Sequence, residues 1–228
     1  MISAVIVAAG QGTRMGPNVD KMFLELNGCP VVAHTWRRFE QAECVGELVL
    51  VIRHGMDEAF RKLAKTYAFR KPFRLVMGGK ERQDSVWNGL EALSPAAQIV
   101  AIQDAARPCT TAALIAATVQ AAREAGAAVA AQPVTDTIKE SHDGKTIERT
   151  LDRRYLWAVQ TPQTFRVEII RRALSEVRRR GLIVTDDTAA CELAGQPVRL
   201  VVSNAPNPKV TRPEDVAGIE ALLRTGTA

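Results

Sequence analysis

Aromatic residues make up only 5% of the 228 positions, and no block of Lys and Arg interleaves with them. A chain without such stacking platforms is not built to hold single-stranded nucleic acid. Histidine is as scarce: His34, His54 and His142 are scattered, with nothing like metal-ligand spacing, and His34 reads as structural. Cys29, Cys44, Cys109 and Cys191 are equally dispersed and form no C-x-x-C, which removes zinc-ribbon and thioredoxin chemistry. No apolar run is long enough for a membrane span, and no stretch reads as a signal peptide. A cytoplasmic chain with reduced thiols, engaging neither membrane nor nucleic acid, is therefore expected. Repeats and low-complexity segments are also missing.

What remains is an ordinary globular composition, 46% hydrophobic and 24% charged. The length suits a single domain, residues 1–228, with a large core. The net charge of +5, with a pI near 9.2, fits an acidic small-molecule substrate. The densest basic run, Arg178-Arg179-Arg180, closes a predicted helix, where cations favour the dipole, and reads as a solvated face.

Apolar patterning predicts strands at Ile2–Val7, Glu47–Ile52, Arg74–Met77, Gln98–Ile102 and Ala127–Ala131. Helices are expected between them, from Pro30 to about Gln41, over Asp57–Tyr67, over Glu81–Leu93, and over Ala112–Ala125 with Gly126 as the stop. Such alternation predicts an α/β chain, a Rossmann-like three-layer fold whose mostly parallel sheet carries helices on both faces. Ligands of such sheets bind beyond the carboxyl ends of the strands. The alternation then breaks. Val134–Lys139 and Thr146–Leu151 are short runs around Asp143-Gly144, a hairpin turn signal. They predict a protruding β-hairpin, an arm inserted over residues 134–154, with too few apolar side chains to pack on the core. A strand at Leu156–Gln160, a helix at Val167–Arg179, a strand at Val198–Val202 and a helix from Pro213 complete the expectation.

Five segments carry the chemistry. After the first strand, Gly10, Gly12 and Gly16 punctuate a loop with Thr13, Arg14 and, further on, Lys21. Free backbone N–H groups beside two cations suit a chain of phosphates. The string is neither a P-loop nor a dinucleotide fingerprint: no Gly-Lys-Ser/Thr follows, Gly16 comes one residue late, and Pro17 interrupts any helix. The glycines alone also read as a plain strand-to-helix turn. In Gln103-Asp104-Ala105-Ala106-Arg107, one carboxylate just past a buried strand suits Mg²⁺ shared with phosphate oxygens, and Arg107 suits a bidentate phosphate contact. Asp104 also reads as a cap of the next turn. In Gly78-Gly79-Lys80-Glu81-Arg82-Gln83-Asp84-Ser85, Gly79 and Ser85 suit the edge of a base, or simply start a helix. Thr137, Arg153 and Thr161, in and after the hairpin, suit a phosphomonoester. Lys209 stands between the last strand and the last helix, and alone would be an ordinary loop lysine.

The loop A-A-G-x-G-T-R-M-G resembles that of the sugar nucleotidyltransferases. With D-T-I-K, D-R-x-x-L-W, T-P-Q-T-F, V-T-D-D and K-V-T-R-P-E-D, the resemblance runs over nearly the whole chain and narrows to the methylerythritol phosphate cytidylyltransferases. It implies one nucleotidyltransferase domain that joins CTP to 2-C-methyl-D-erythritol 4-phosphate with a divalent cation such as Mg²⁺, in non-mevalonate isoprenoid synthesis. By the same resemblance, Ala8, Ala9, Gly10 and Gly12 line the triphosphate and base, and Arg14 and Lys21 neutralise phosphates. Gly79 and Ser85 recognise cytosine, and Asp104 binds the metal. Arg107, Thr161 and Lys209 meet the reacting groups. Thr137 and Arg153 reach the polyol phosphate of a neighbouring subunit, because the arms of this family's homodimers interlock. The chain departs from the family's pattern at Gln103, usually histidine, and at Asp20, usually proline. Two alternatives stay open: a cytidylyltransferase for another polyol phosphate such as ribitol 5-phosphate, and a non-catalytic nucleotide-binding protein.

Overall fold

The computed structural model describes residues 1–16 and 19–225. Pro17 lies outside the described residues. The chain begins with β1 (Ile2–Val7), followed by a small ladder of β2 (Glu25–Leu26) and β3 (Cys29–Pro30). Then come α1 (Val31–Gln41), β4 (Glu47–Ile52), α2 (Asp57–Thr66), β5 (Phe73–Met77), α3 (Arg82–Glu91), β6 (Ile99–Asp104), α4 (Ala112–Ala125) and β7 (Ala127–Pro133). A hairpin, β8 (Lys139–Glu140) with β9 (Arg149–Thr150), precedes β10 (Trp157–Arg166), α5 (Val167–Arg179), α6 (Asp187–Leu193), β11 (Arg199–Val202) and α7 (Asp215–Thr225).

The seven-stranded sheet runs β11-β7-β10-β6-β1-β4-β5. Its pairs are parallel except where β10 lies antiparallel between β6 and β7. The central strands are apolar on both faces because both faces are covered. Ile6, Leu48 and Leu50 pack with Trp36, Phe39, Phe60 and Ile115 on one side. Val5, Val49 and Val51 alternate to the other side and pack with Val86, Leu90, Ile170 and Leu174. This period of two places α1, α2, α4 and α7 on one layer and α3, α5 and α6 on the other. The carboxyl ends of β1 and β6 are thereby left facing the Gly-rich loop and the first turn of α3.

The elements depart from the sequence reading chiefly in four places, besides the β2–β3 ladder and shifts of one or two residues at other ends, among them β6, which takes in Asp104 as its last residue. Pro30 is extended and pairs with Glu25, so the helix starts one residue later. The hairpin is shorter than predicted, with two residues paired on each side. Asp143 accounts for its turn: one carboxylate oxygen accepts from Lys145 N and Thr146 N, both at 2.8 Å, which holds the carboxyl at about 2. The strand expected at Leu156–Gln160 continues to Arg166, with a register slip between Val159 and Gln163. Finally, α6 has no counterpart in the sequence reading; its cap, Asp186, accepts from Ala189 N at 2.9 Å. The Arg178–Arg180 run is exposed as expected, with Arg178 stacked 4.6 Å from the Trp87 ring centroid and Arg179 and Arg180 paired to Glu176.

Candidate active site

A cavity of about 260 Å³ opens where β1, β6 and α3 end or begin. Ala9, Gly10, Gly12, Arg14, Lys21, Gly79, Ser85, Asp104 and Lys209 all line it, so four of the five segments meet there. A larger cleft of about 950 Å³ sits at the other end of the sheet, around Glu91, Arg123 and Arg166, and contains none of these residues.

Two glycines let the walls approach. Gly12 is left-handed, φ 66°, and a Cβ there would lie 2.9 Å from Lys21 Cβ. A Cβ on Gly78 would lie 2.3 Å from Ala9 Cβ, so the α3 turn closes on β1 only without one. Ser85 Oγ accepts from Gly79 N at 3.0 Å and donates to Glu81 O at 3.3 Å. Those two bonds use the hydroxyl's donor and one acceptor position, which leaves a second acceptor position on a residue that lines the cavity.

Asp104 is the electrostatic centre. Lys209 Nζ lies 2.7 Å from Oδ2, Arg82 Nε 3.3 Å from Oδ1, and Arg107 Nε 4.0 Å from Oδ2. Burial favours the neutral acid, but Arg82, Lys209 and Arg107 outweigh it and hold the carboxyl far below the usual range. The backbone N–H of Asp104 donates to Thr161 Oγ1 at 3.1 Å. Lys209 reaches this point because its loop is pinned on both sides: Asn207 Nδ2 donates to Thr161 O at 2.8 Å, and Val210 N to Ala106 O at 2.8 Å. Lys21 is buried, and burial together with Lys209 and Arg14 lowers its pKa against the pull of Asp104. The cavity thus sets the ionised Asp104 carboxylate among Arg14, Lys21, Arg82 and Lys209, an arrangement suited to a polyanion.

Some expected residues stand back from the cavity. Ala8 is buried behind it, and its N–H bonds Val51 O at 2.7 Å. Thr161 is buried under Asp104, and Arg107 donates to Asn207 O at 2.7 Å. Thr137 and Arg153 are exposed on the arm and line no part of the cavity; Arg153 donates to Thr135 O. The two departures are accommodated. Gln103 is buried and donates to Thr110 Oγ1 at 2.8 Å, and Asp20 pairs with Arg53, so it does not quench Lys21. His34 bonds Leu26 O at 2.8 Å in a structural role. The sequence reading missed Arg82, which lines the cavity, and Asp187, to which Arg82 also pairs. Both lie in the quoted strings, but only the fold brings them together.

A divalent cation fits this donor set only in company with phosphates. Among the cavity's residues Asp104 is a hard, ionised oxygen ligand surrounded by positive charge, which repels a bare cation and accepts one already bound to phosphate.

The family model for 2-C-methyl-D-erythritol 4-phosphate cytidylyltransferase (IspD) matches residues 2–225. A protein of that name from Alkaliphilus oremlandii is 42% identical, with 98% of this chain and 95% of its own covered. Another of the same name, from Pelotomaculum thermopropionicum, is 43% identical over 98% and 94%. The crystal structure of 4-diphosphocytidyl-2C-methyl-D-erythritol synthase from Anaerococcus prevotii superposes with a TM-score of 0.87 at 30% identity, covering 98% of this chain and 96% of that one.

Proposed function

The chain belongs to the 2-C-methyl-D-erythritol 4-phosphate cytidylyltransferase family, and we propose that the cavity around Asp104 is where it performs that family's reaction. It is a nucleotidyltransferase that joins CTP and 2-C-methyl-D-erythritol 4-phosphate to give 4-diphosphocytidyl-2-C-methyl-D-erythritol and pyrophosphate, in non-mevalonate isoprenoid synthesis. The meeting of Arg14, Lys21, Asp104 and Lys209 in one cavity is the observation that carries the assignment of the site.

A phosphate oxygen of the polyol phosphate attacks the α-phosphorus of CTP in line, and pyrophosphate leaves. The nucleophile is already an anion, so no general base is needed. The residues' task is positioning and charge stabilisation. Arg14 and Lys21 neutralise the phosphates from the Gly-rich loop, and Lys209 does so from the loop before α7. The open acceptor position of Ser85 Oγ takes a hydrogen bond from the exocyclic amine of cytosine; uracil offers a carbonyl there and has nothing to donate. Asp104 would hold the divalent cation, Mg²⁺, which would spread the charge of the triphosphate. Thr161 and Arg107 orient Asp104 and the Lys209 loop from behind.

The arm makes the homodimer. Its hairpin is exposed, and Tyr155, Trp157 and Val159 beside it present apolar surface. Pairing with a second copy covers them and brings Thr137 and Arg153 to the partner's cavity, where the polyol phosphate binds. Among the described residues no helix is long and apolar enough to cross a membrane. The reading is tested by pyrophosphate release with CTP and, in turn, 2-C-methyl-D-erythritol 4-phosphate and ribitol 5-phosphate. Release with the first alone is expected. Faster release with ribitol phosphate overturns the polyol assignment, and release with neither overturns the site.

A further inference from the structure

Arg82 stands between two carboxylates. Its Nη2 lies 2.9 Å from Asp187 Oδ2, and its Nε lies 3.3 Å from Asp104 Oδ1. Asp104 faces the cavity, whereas Asp187 is 1% exposed and lines none of it. The position of Asp187 is fixed by its surroundings. Its N–H donates to Gln163 Oε1 at 3.0 Å, and Gln163 Nε2 donates to Asp186 Oδ2 at 2.9 Å. Gln83, next to Arg82, ties the same segment to α3 by accepting from Val184 N and donating to Leu182 O, both at 2.9 Å. Neither oxygen of Asp187 has a hydrogen bond of good geometry, so the ion pair with Arg82 is the compensation for burying it.

A buried carboxylate that touches no substrate is costly as a mere fastener, since Gln83 and Gln163 already fasten this segment. Its effect falls on Arg82. A guanidinium is a rigid fork that pairs with a carboxylate through two parallel hydrogen bonds when free to do so. Beside Asp104 alone, Arg82 would close on both oxygens, and the carboxylate would have none left for a cation even after Lys209 leaves. Asp187 takes the Nη2 end of the fork and leaves Arg82 on Oδ1 alone.

We propose that Asp187 is a positioning residue that holds the Arg82 guanidinium to a single oxygen of Asp104 and so leaves the other, which Lys209 occupies at rest, available to the divalent cation arriving with the nucleotide once the phosphates draw Lys209 off. The proposal rests on the cavity being the CTP site. Its test is the affinity for CTP, measured by calorimetry without the polyol phosphate, once with Mg²⁺ and once with a chelator. The readout is the ratio of the two affinities. In Asp187→Asn that ratio should fall about tenfold, as one charge-assisted hydrogen bond gained between Arg82 and Asp104 demands. Affinity in chelator should hold, and Asp187→Glu should restore the ratio. In an Arg82→Gln chain the ratio should not fall, and adding Asp187→Asn to it should change nothing further, because Asp187 acts through Arg82. Equal weakening with and without Mg²⁺, or an effect of Asp187→Asn that persists beside Arg82→Gln, would make Asp187 a structural fastener and overturn the proposal. Should Asp187→Asn fail to fold, a lowered ratio in Arg82→Gln alone overturns it. A wild-type chain that binds no CTP removes the assigned site and this proposal together; normal binding with an unchanged ratio in Asp187→Asn removes only the proposal.

Discussion

Lys209 donates a 2.7 Å hydrogen bond to Asp104 across 105 residues of sequence, and that contact joins the loop before α7 to the end of β6. It defines a resting state in which the cavity's carboxylate and one of its cations satisfy each other. In the proposed reaction, phosphates entering the cavity would compete for Lys209, and a cation would compete for Asp104. The pair would then separate only when both ligands are present. Electrostatic catalysis of this kind costs little reorganisation, because Asn207 and Val210 fix the lysine's loop beforehand.

The flanking cations should matter for rate and little for folding. Arg14→Ala and Lys21→Ala are expected to cut kcat by about 10²-fold or more, the cost of losing a charge aimed at the transition state. Lys21 already sits among cations at a lowered pKa, so its removal should leave the thermal midpoint unchanged or raise it. Near-normal turnover in either variant would remove that residue from the mechanism.

Asp104→Asn should do the reverse. It leaves Arg82, Arg107 and Lys209 without their shared counter-charge, and destabilisation of up to about 3 kcal/mol is expected, less what the partly exposed Lys209 regains from water. Denaturant unfolding measures it, and added pyrophosphate should restore stability by binding the freed cations. Activity should vanish in the variant, as it should for the wild type in a chelator. Full activity in metal-free buffer would give Asp104 another task.

Base choice should rest on Ser85. CTP is expected to be used in preference to UTP and ATP, because a site built on hydrogen bonds leaves its own groups unpaired with the wrong base. Ser85→Ala should erode that preference. It also strips Gly79 N of its acceptor, so some loss for every nucleotide is expected. Equal use of all three nucleotides by the unaltered chain would sink the cytidylyl assignment and leave the fold untouched.

The thiols should be bystanders. Burial pushes Cys109 up to about 11 and Cys191 up to about 12, and it also raises the half-buried Cys44. Only the thiolate reacts, and these folded values keep it scarce well above neutral pH. At pH 8 a thiol reagent should modify Cys44 first and reach Cys109 and Cys191 only on unfolding, with activity retained meanwhile. Rapid modification of Cys191 in active protein would contradict its burial.

The sheet was legible because its strands are continuous apolar runs of the right length between turn residues. Glu47–Ile52 was read to the residue, and so was α4 between Ala112 and the Gly126 stop. The hairpin was legible as a turn but not in its pairing, since Lys139–Glu140 and Arg149–Thr150 carry no apolar alternation to fix a register. α6 escaped because seven residues beginning D-T-A-A show hardly two turns of periodicity. At the site, the strings singled out many of the residues that face the cavity, but not Arg82. They did not reveal that Thr161 and Arg107 lie behind it, or that Arg82 divides itself between Asp104 and Asp187. Those are relations between segments distant in sequence, and no local pattern encodes them.

The arm tests the dimer and the active site at once. Residues 134–154 hold a hairpin of two paired residues a side, and such a hairpin is marginal alone in water. A second copy across a two-fold axis would hold it and carry Arg153 into the neighbouring cavity. Arg153→Ala and Lys209→Ala should each be nearly inactive as homodimers. In a mixed dimer of the two, one site receives both lesions and the other receives none, because Arg153 comes from one chain and Lys209 from the other. Mixing the variants and allowing subunit exchange should therefore restore about half of the wild-type rate per heterodimer. Mass spectrometry or differential tagging shows whether exchange has occurred. No recovery after confirmed exchange would mean that Arg153 serves its own chain's cavity, and the shared site would have to be abandoned even if the dimer remained.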